Sequence, residues 1–262
     1  MSGAAYGQLL FQNGSSFGAY NFDGTMINPA YIVAGLSNPQ GIAIYGTNIY
    51  VANNPGPSTN GTIGLYNLDG TLVNASLISE VKPAGIAISG TNLYVANDAG
   101  FVGVYNLDGT AVNTSLIKNV VGANGIAIDG TNIFLAYGPS SVGKYKLDGT
   151  TVNARLIYLP AIPAGLAISG TNLYVANFSL GKVGKYGLDG TVVNALFISG
   201  LSLPNGLAIS SNILYIQCAG SKTVGKYSLD GTVLNSSFVS ELTNPPFDNY
   251  GMEPLRNGTL TV

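Results

Sequence analysis

The sequence has no histidine and no tryptophan, one cysteine, and only 8% charged residues, and each shortage removes a class of function. Without histidine the chain lacks the usual general base near neutral pH, the commonest metal ligand, and any Ser-His-Asp triad. A lone Cys218 cannot close an internal disulfide, and no histidine stands ready to activate it as a nucleophile, so a semi-buried thiol is expected. The ten basic residues are scattered and the formal net charge is −2, which gives no electrostatic footprint for nucleic acid. Mean hydropathy is positive, at +0.31, yet no apolar run approaches the ~18 residues of a spanning helix, and membrane insertion is not expected. Residues 1–5 carry neither a charged n-region nor a long apolar h-region, so no signal peptide is expected in this chain.

What fills the sequence instead is glycine, 36 copies of it, and a repeat. Tyr-x-Leu/Phe-Asp-Gly-Thr begins at Tyr20, Tyr66, Tyr105, Tyr145, Tyr186 and Tyr227, so its aspartates stand 46, 39, 40, 41 and 41 residues apart. A period in this range marks units that cannot bury their own apolar faces alone. Within each unit four short apolar runs follow one another, bounded by Gly, Asn and Asp, as strands would be. Strand A is Gly-Ile/Leu-Ala-Ile, at Gly41, Gly85, Gly125, Gly165 and Gly206; strand B is Leu-Tyr-Val-Ala-Asn or its equivalent. Strand C is Val-Gly-x-Tyr-x-Leu, and strand D is the Leu-Ile piece after Asp-Gly-Thr. Asp-Gly between two apolar runs predicts a type I′ hairpin, with positive φ at both central residues.

A four-stranded meander repeated about an axis buries both faces of every unit. The expected fold is therefore all-β: a single domain over residues 1–262, a six-bladed β-propeller of four-stranded antiparallel blades. Strand A is plain only five times, so the sixth copy is expected within residues 249–262, with Gly251-Met252 in the place of Gly-Ile. The closing blade is then shared by the N- and C-termini.

Pro-x-Gly-Ile-Ala-Ile followed by Leu-Tyr-Val-Ala-Asn resembles the NHL-type repeat of six-bladed propellers, with Asn where that family often has Asp. The resemblance covers about residues 20–255, and the Leu-Asp-Gly-Thr-x-Val-Asn extension resembles tandem repeats of predicted exported bacterial proteins. It implies the propeller and an extracellular or cell-surface setting. For activity it implies either an adhesion or interaction module or an enzyme of the lactonase or lyase kind with a channel metal. The residues favour the first. Six of the twelve acids are hairpin aspartates, which leaves few carboxylates for a hard cation that takes six to eight oxygens. No cofactor, no metal site and no catalytic residue are expected. A self-assembling or consensus-like repeat protein without ligand is the remaining alternative, and the expected state is a monomer or weak homo-oligomer.

Strand parity puts the A–B and C–D turns on one face and the B–C and D–A loops on the other. The first face is nearly identical from unit to unit; the second is where the copies differ, as a binding rim on a rigid scaffold does. Near the axis on that rim the candidate binding residues are Gln40, Asn53, Asn97, Asn124, Tyr137, Asn177, Phe178 and Asn205. They predict a neutral mouth of amides and aromatics, suited to a glycan or a peptide of a protein partner. Lys144, Lys185 and Lys226 precede the strand-C tyrosine in three successive units and are read as a solvated strand edge. Of the seven Asn-x-Ser/Thr sequons, at Asn13, Asn60, Asn74, Asn113, Asn177, Asn235 and Asn257, three, those of Asn74, Asn113 and Asn235, are read as products of the repeat.

Overall fold

The computed structural model describes residues 8–56, 58–243 and 252–255, the side chains of Glu253 and Leu255 excepted. Its closing blade holds β1 (Gln8–Asn13), β2 (Ser16–Asn21) and β3 (Met26–Ile32). Blade 1 is β4 (Pro39–Tyr45), β5 (Asn48–Asn53), β6 (Gly61–Asn67) and β7 (Leu72–Val81). Blade 2 is β8 (Pro83–Ser89), β9 (Asn92–Asn97), β10 (Phe101–Asn106) and β11 (Ala111–Lys118). Blade 3 is β12 (Ile126–Ile128), β13 (Asn132–Tyr137), β14 (Ser141–Lys146) and β15 (Thr151–Tyr158). Blade 4 is β16 (Pro163–Ser169), β17 (Asn172–Asn177), β18 (Lys182–Gly187) and β19 (Val192–Ile198). Blade 5 is β20 (Pro204–Ser210), β21 (Ile213–Cys218), β22 (Thr223–Ser228) and β23 (Val233–Val239), and the last strand is β24 (Met252–Leu255).

Each sheet is an antiparallel meander in chain order, and β24 pairs with β1 to complete the sheet β24-β1-β2-β3. The ring is thus a six-bladed propeller closed by strands from the two ends of the chain, with Phe11 opposite Met252. Gly251, the expected start of that strand, lies outside the described residues. The inner strands begin on proline in blades 1, 2, 4 and 5, where a missing N–H costs no ladder bond. Blade 3 has Gly122-Ala-Asn there instead, and its inner strand shrinks to three residues.

Six core clusters, one in each gap between neighbouring blades, hold the ring together. Their recurring members are the strand-B aromatic of one blade and the strand-C tyrosine of the next, as with Tyr50 and Tyr105. The glycine two residues before each strand-C tyrosine makes room for the ring, which folds back over it. A β-carbon on Gly184 would stand 2.6 Å from a Tyr186 ring carbon.

The Asp-Gly hairpins are not type I′. Only the glycines have positive φ, from 82° at Gly70 to 99° at Gly231, and no turn aspartate does. Gly24 N–H donates to Asn21 O and Asn21 N–H to Thr25 O, both at 2.9 Å, which is a type I turn followed by a left-handed glycine in a bulge. The reason is the extra residue: three residues bridge the strands, and aspartate serves by accepting from its own turn. Asp23 Oδ1 accepts from the N–H (2.8 Å) and the hydroxyl (2.6 Å) of Thr25, and these bonds hold its carboxyl below the usual carboxylate range.

The three lysines are not a solvated edge. Each reaches the next blade: Lys144 Nζ donates to Leu188 O (2.9 Å), Lys185 to Leu229 O (3.2 Å), and Lys226 to Phe22 O (3.1 Å). Tyr50 and Tyr94 do the same work through their hydroxyls, to Leu107 O (3.1 Å) and Leu147 O (3.5 Å), and Tyr31 donates to Leu68 O. Every blade interface therefore has one donor on the carbonyl that precedes the next blade's turn aspartate. In blade 3 the donor has changed with the cross-strand pair, since Tyr94 faces Val104 whereas Phe134, which has no hydroxyl, faces Lys144; in blades 4 and 5 lysine donates although it faces Tyr174 and Tyr215. The Lys144 ammonium also lies over the Phe134 ring, 5.3 Å from its centroid.

Lys144→Val is expected to destabilise the protein by about 1 kcal/mol through the orphaned Leu188 carbonyl, and Phe134→Tyr in the same chain to recover most of that. Urea unfolding of both single variants and the double variant measures it; additive losses would show that the tyrosine cannot replace the lysine.

The outer strands carry exposed apolar side chains at Val73, Val112, Val152, Val193 and Leu234. Each also breaks register at its Asn, whose Oδ1 accepts the N–H two residues on at 2.9–3.0 Å, from Asn28 round to Asn235. Such a bulge twists an edge strand away from pairing with another chain. It gives the repeated asparagine a structural role, which also accounts for the sequons at Asn74, Asn113 and Asn235; Asn257 lies outside the described residues.

Candidate functional site

The two faces fall where strand parity places them. The A–B and C–D turns share one end of the ring, and the B–C and D–A loops the other. On the loop face of blades 1 to 5 the B–C loop is tied to the D–A loop that precedes its blade's inner strand: Asn54 N–H to Asn38 O (3.2 Å), Gly138 N–H to Val121 O (2.9 Å), Phe178 N–H to Ile162 O (3.1 Å). The rim is thus a set of paired loops braced on rigid sheets.

The amides near the axis are not an open mouth. Gln40, Asn53, Asn97, Asn177 and Asn205 are each at most 3% exposed, while Asn124, Tyr137 and Phe178 are half-buried. The cause is how closely the inner strands approach. A β-carbon on Gly41 would stand 2.5 Å from Ala84 O, one on Gly125 2.2 Å from Ala164 O, and one on Gly165 2.4 Å from Asn205 O. With glycine there, backbone packs on backbone and the amides are sealed in.

Inside, several of them act as loop ties. Ser37 N–H donates to Asn53 Oδ1 (3.2 Å), Thr243 N–H to Asn13 Oδ1 (2.7 Å), and Ala99 N–H to Asn97 Oδ1 (3.1 Å). Asn205 Oδ1 accepts from Gly206 N–H (2.9 Å). In blade 5 and the closing blade, Gln217 and Gln12 replace the strand-B alanine found elsewhere, and Gln217 Nε2 donates to Gln12 O (3.1 Å). Strand-B position identified these asparagines; that Asn13, Asn53 and Asn97 turn their carbonyl oxygens on loop N–H groups, while buried Asn177 bonds through neither side-chain atom, is a matter of tertiary packing.

Among the residues the rim exposes, the large apolar ones are concentrated on blades 3 and 4, with Val33 before blade 1 apart from them. Val121 (70% exposed) and Ile162 (42%) come from the D–A loops, Leu180 (47%) from the B–C loop of blade 4. Tyr158 (64%) ends β15 opposite Ser141, which places it at the same end of blade 3. The half-buried Tyr137 packs on the core between blades 2 and 3 and Phe178 on that between blades 4 and 5, with the Tyr137 hydroxyl turned back onto Ala154 O. The loops 119–125, 138–140, 159–162 and 178–181 contain no charged residue, although Lys118 and Lys182 flank them and the Arg155 guanidinium lies 5.5 Å from the Tyr158 ring centroid. Tyr137 and Phe178 were legible as rim residues; Val121, Tyr158, Ile162 and Leu180 were not, because only the fold brings four separate loops and strand ends together.

On chemistry, burial pushes the Cys218 thiol up to about 11, so it is a poor nucleophile at neutral pH. Among the described residues no three His, Cys, Asp or Glu side chains converge. The turn aspartates point to solvent on the opposite face, each engaged with its own threonine.

The sequence matches no protein-family model, and no characterised protein matches it in sequence. Solved structures do match in fold. A chain in the crystal structure of a nidogen/laminin complex superposes with a TM-score of 0.81 at 17% identity, over 95% of this chain and 98% of that one. The computationally designed Ika8 protein superposes with a TM-score of 0.55 at 12% identity, over 90% of this chain and 74% of that one. At such identities the likeness speaks for architecture alone, and the architecture is a six-bladed β-propeller.

Proposed function

We propose that the chain is a non-catalytic interaction scaffold of NHL-like type, set outside the cell, that docks a protein on the loop face of blades 3 and 4. The observation that carries this reading is the exposed apolar surface of Val121, Tyr158, Ile162 and Leu180, on loops and a strand end that differ from blade to blade, with the Arg155 guanidinium over the Tyr158 ring at 5.5 Å. An apolar patch on an otherwise polar rim, held by hydrogen-bonded loops on a rigid body, is what protein interfaces are built from. The match to a propeller that sits in a protein–protein complex agrees with it. Absence of histidine from the whole sequence, and use of half the acids in turns, supports the non-catalytic part.

A photo-reactive phenylalanine analogue at Tyr158, with a second at Thr191 on the turn face as control, tests the reading in extracts of the native host. A discrete cross-linked protein is expected from position 158 only, and Leu180→Asp should reduce its yield at least tenfold. Capture from position 191 alone, or capture indifferent to Leu180→Asp, would refute the docking face. A cross-linked second copy of the chain would instead favour self-assembly.

A further inference from the structure

The six blade interfaces are alike in sequence but not in width. At five of them the glycine of the C–D turn abuts the outer strand of the preceding blade. A β-carbon there would stand 2.3 to 2.7 Å from a carbonyl oxygen of that strand, at Gly24, Gly70, Gly109, Gly149 and Gly190. At Gly231 the matching distance, to Phe197 O, is 3.4 Å. The gap between blades 4 and 5 has opened by most of an ångström, and a groove of about 470 Å³ runs along it on the outside of the ring.

The lining of this groove mixes hydroxyl and apolar groups. Seven hydroxyl-bearing residues line it: Ser199 and Ser202 from the blade 4 side, Ser221, Thr223, Tyr227, Ser236 and Ser237 from blade 5. Between them Phe197, Leu201 and Val233 supply apolar surface, and no charged residue takes part. The Phe197 ring is fixed, edge-on to Tyr174 at 5.4 Å and under the Lys185 ammonium at 5.3 Å. The loop wall is fixed too: Leu201 N–H donates to Gly181 O (2.9 Å), and Gly220 N–H to Ser202 O (3.1 Å). The groove is therefore largely preformed, which spares a ligand the cost of ordering it.

We infer that this groove is a binding site for a neutral oligosaccharide, separate from the protein-docking rim. Hydroxyls both donate and accept, so a row of them suits a ligand whose own groups are hydroxyls in varied orientation. A sugar ring also presents C–H faces, which the Phe197, Leu201 and Val233 surfaces cover without desolvating a charge. An anionic glycan has no cation to meet among the groove's side chains, which selects the neutral class.

Isothermal titration with maltohexaose, cellohexaose and chitohexaose tests the site. One of these is expected to bind saturably, and Ser236→Trp and Ser199→Tyr, which fill the groove from opposite walls, should each weaken it at least tenfold. Both replaced serines are exposed, and circular dichroism with the unliganded melting temperature verifies that each variant is folded. No binding of any of the three at 10 mM would overturn the inference, as would binding that both variants retain. Binding lost instead on Leu180→Asp would place the sugar on the rim, again against the groove. Neither groove substitution replaces Val121, Tyr158, Ile162 or Leu180, so failure here leaves the docking proposal standing, and the reverse.

Discussion

Replacing Gly85 by alanine is expected to cost about 3 kcal/mol and lower the melting temperature by roughly 6–12 °C. Its added β-carbon would lie 2.2 Å from Asn124 O and 3.2 Å from both Ile126 N and Ile126 Cγ2. Nothing there can swing aside, because the obstacle is the backbone of the next inner strand. Gly85 does not have positive φ, so the cost comes from close approach rather than from backbone conformation. In a closed ring a strand pushed outward presses on its other neighbour as well, so local relief is limited. Gly206 occupies the same place in blade 5, yet its β-carbon would meet only Gln217 Oε1 at 3.3 Å and side-chain carbons beyond. Gly206→Ala is therefore expected to cost under about 1 kcal/mol. Thermal and urea melts of the two variants check the contrast; equal stability would mean that the inner strands stand further apart than described.

Tyr66→Ala is expected to be as severe, at about 3–5 kcal/mol, while Tyr66→Phe costs about 1 kcal/mol. The ring is fully buried between the closing blade and blade 1, against Leu10, Phe17 and Ile32. It covers Gly64 and sends its hydroxyl to Ala34 O at 2.9 Å, and burial pushes that hydroxyl up to about 12. Alanine would remove the packing and leave a cavity; phenylalanine would remove only the bond to one carbonyl. The position matters because this interface joins the blade that is itself assembled from the two chain ends. Urea unfolding followed by tyrosine fluorescence and by circular dichroism is expected to give coincident transitions for Tyr66→Phe and separated ones for Tyr66→Ala, as the closing blade uncouples. Coincident transitions in both would show that the ring still unfolds as one unit.

Much of this molecule can be read residue by residue. Strands declare themselves through short apolar runs between Gly, Asn and Asp, and blade number through the recurrence of Asp-Gly-Thr. Met252 in the closing strand follows from the missing sixth strand A. Reading stops where the outcome depends on what lies across a gap. Asp-Gly suits a two-residue I′ turn, but the register of β2 on β3 leaves three residues to bridge, and the glycine alone turns left-handed. Lys144 beside Tyr145 on a strand looks like a solvent-facing charge; the partner that claims it, Leu188 O, is 44 residues away. Asn53, Asn97 and Asn177 sit where a channel rim was expected, and the approach of neighbouring inner strands buries them.

The sequence by itself determined an all-β chain of six four-stranded blades, the sharing of one blade between the termini, and the face on which the copies differ. These follow from periodicity and turn chemistry, which act over a few residues and are written in the order of the chain. Tertiary structure alone decided which donors strap the blades, that the amides are sealed, that the apolar rim gathers on blades 3 and 4, and that one interface of six is open. Those outcomes turn on distances between segments some forty residues apart, where a difference near one ångström separates contact from groove. Such a difference is not legible in repeats so nearly identical in sequence, because it is set by what each turn meets on the neighbouring blade.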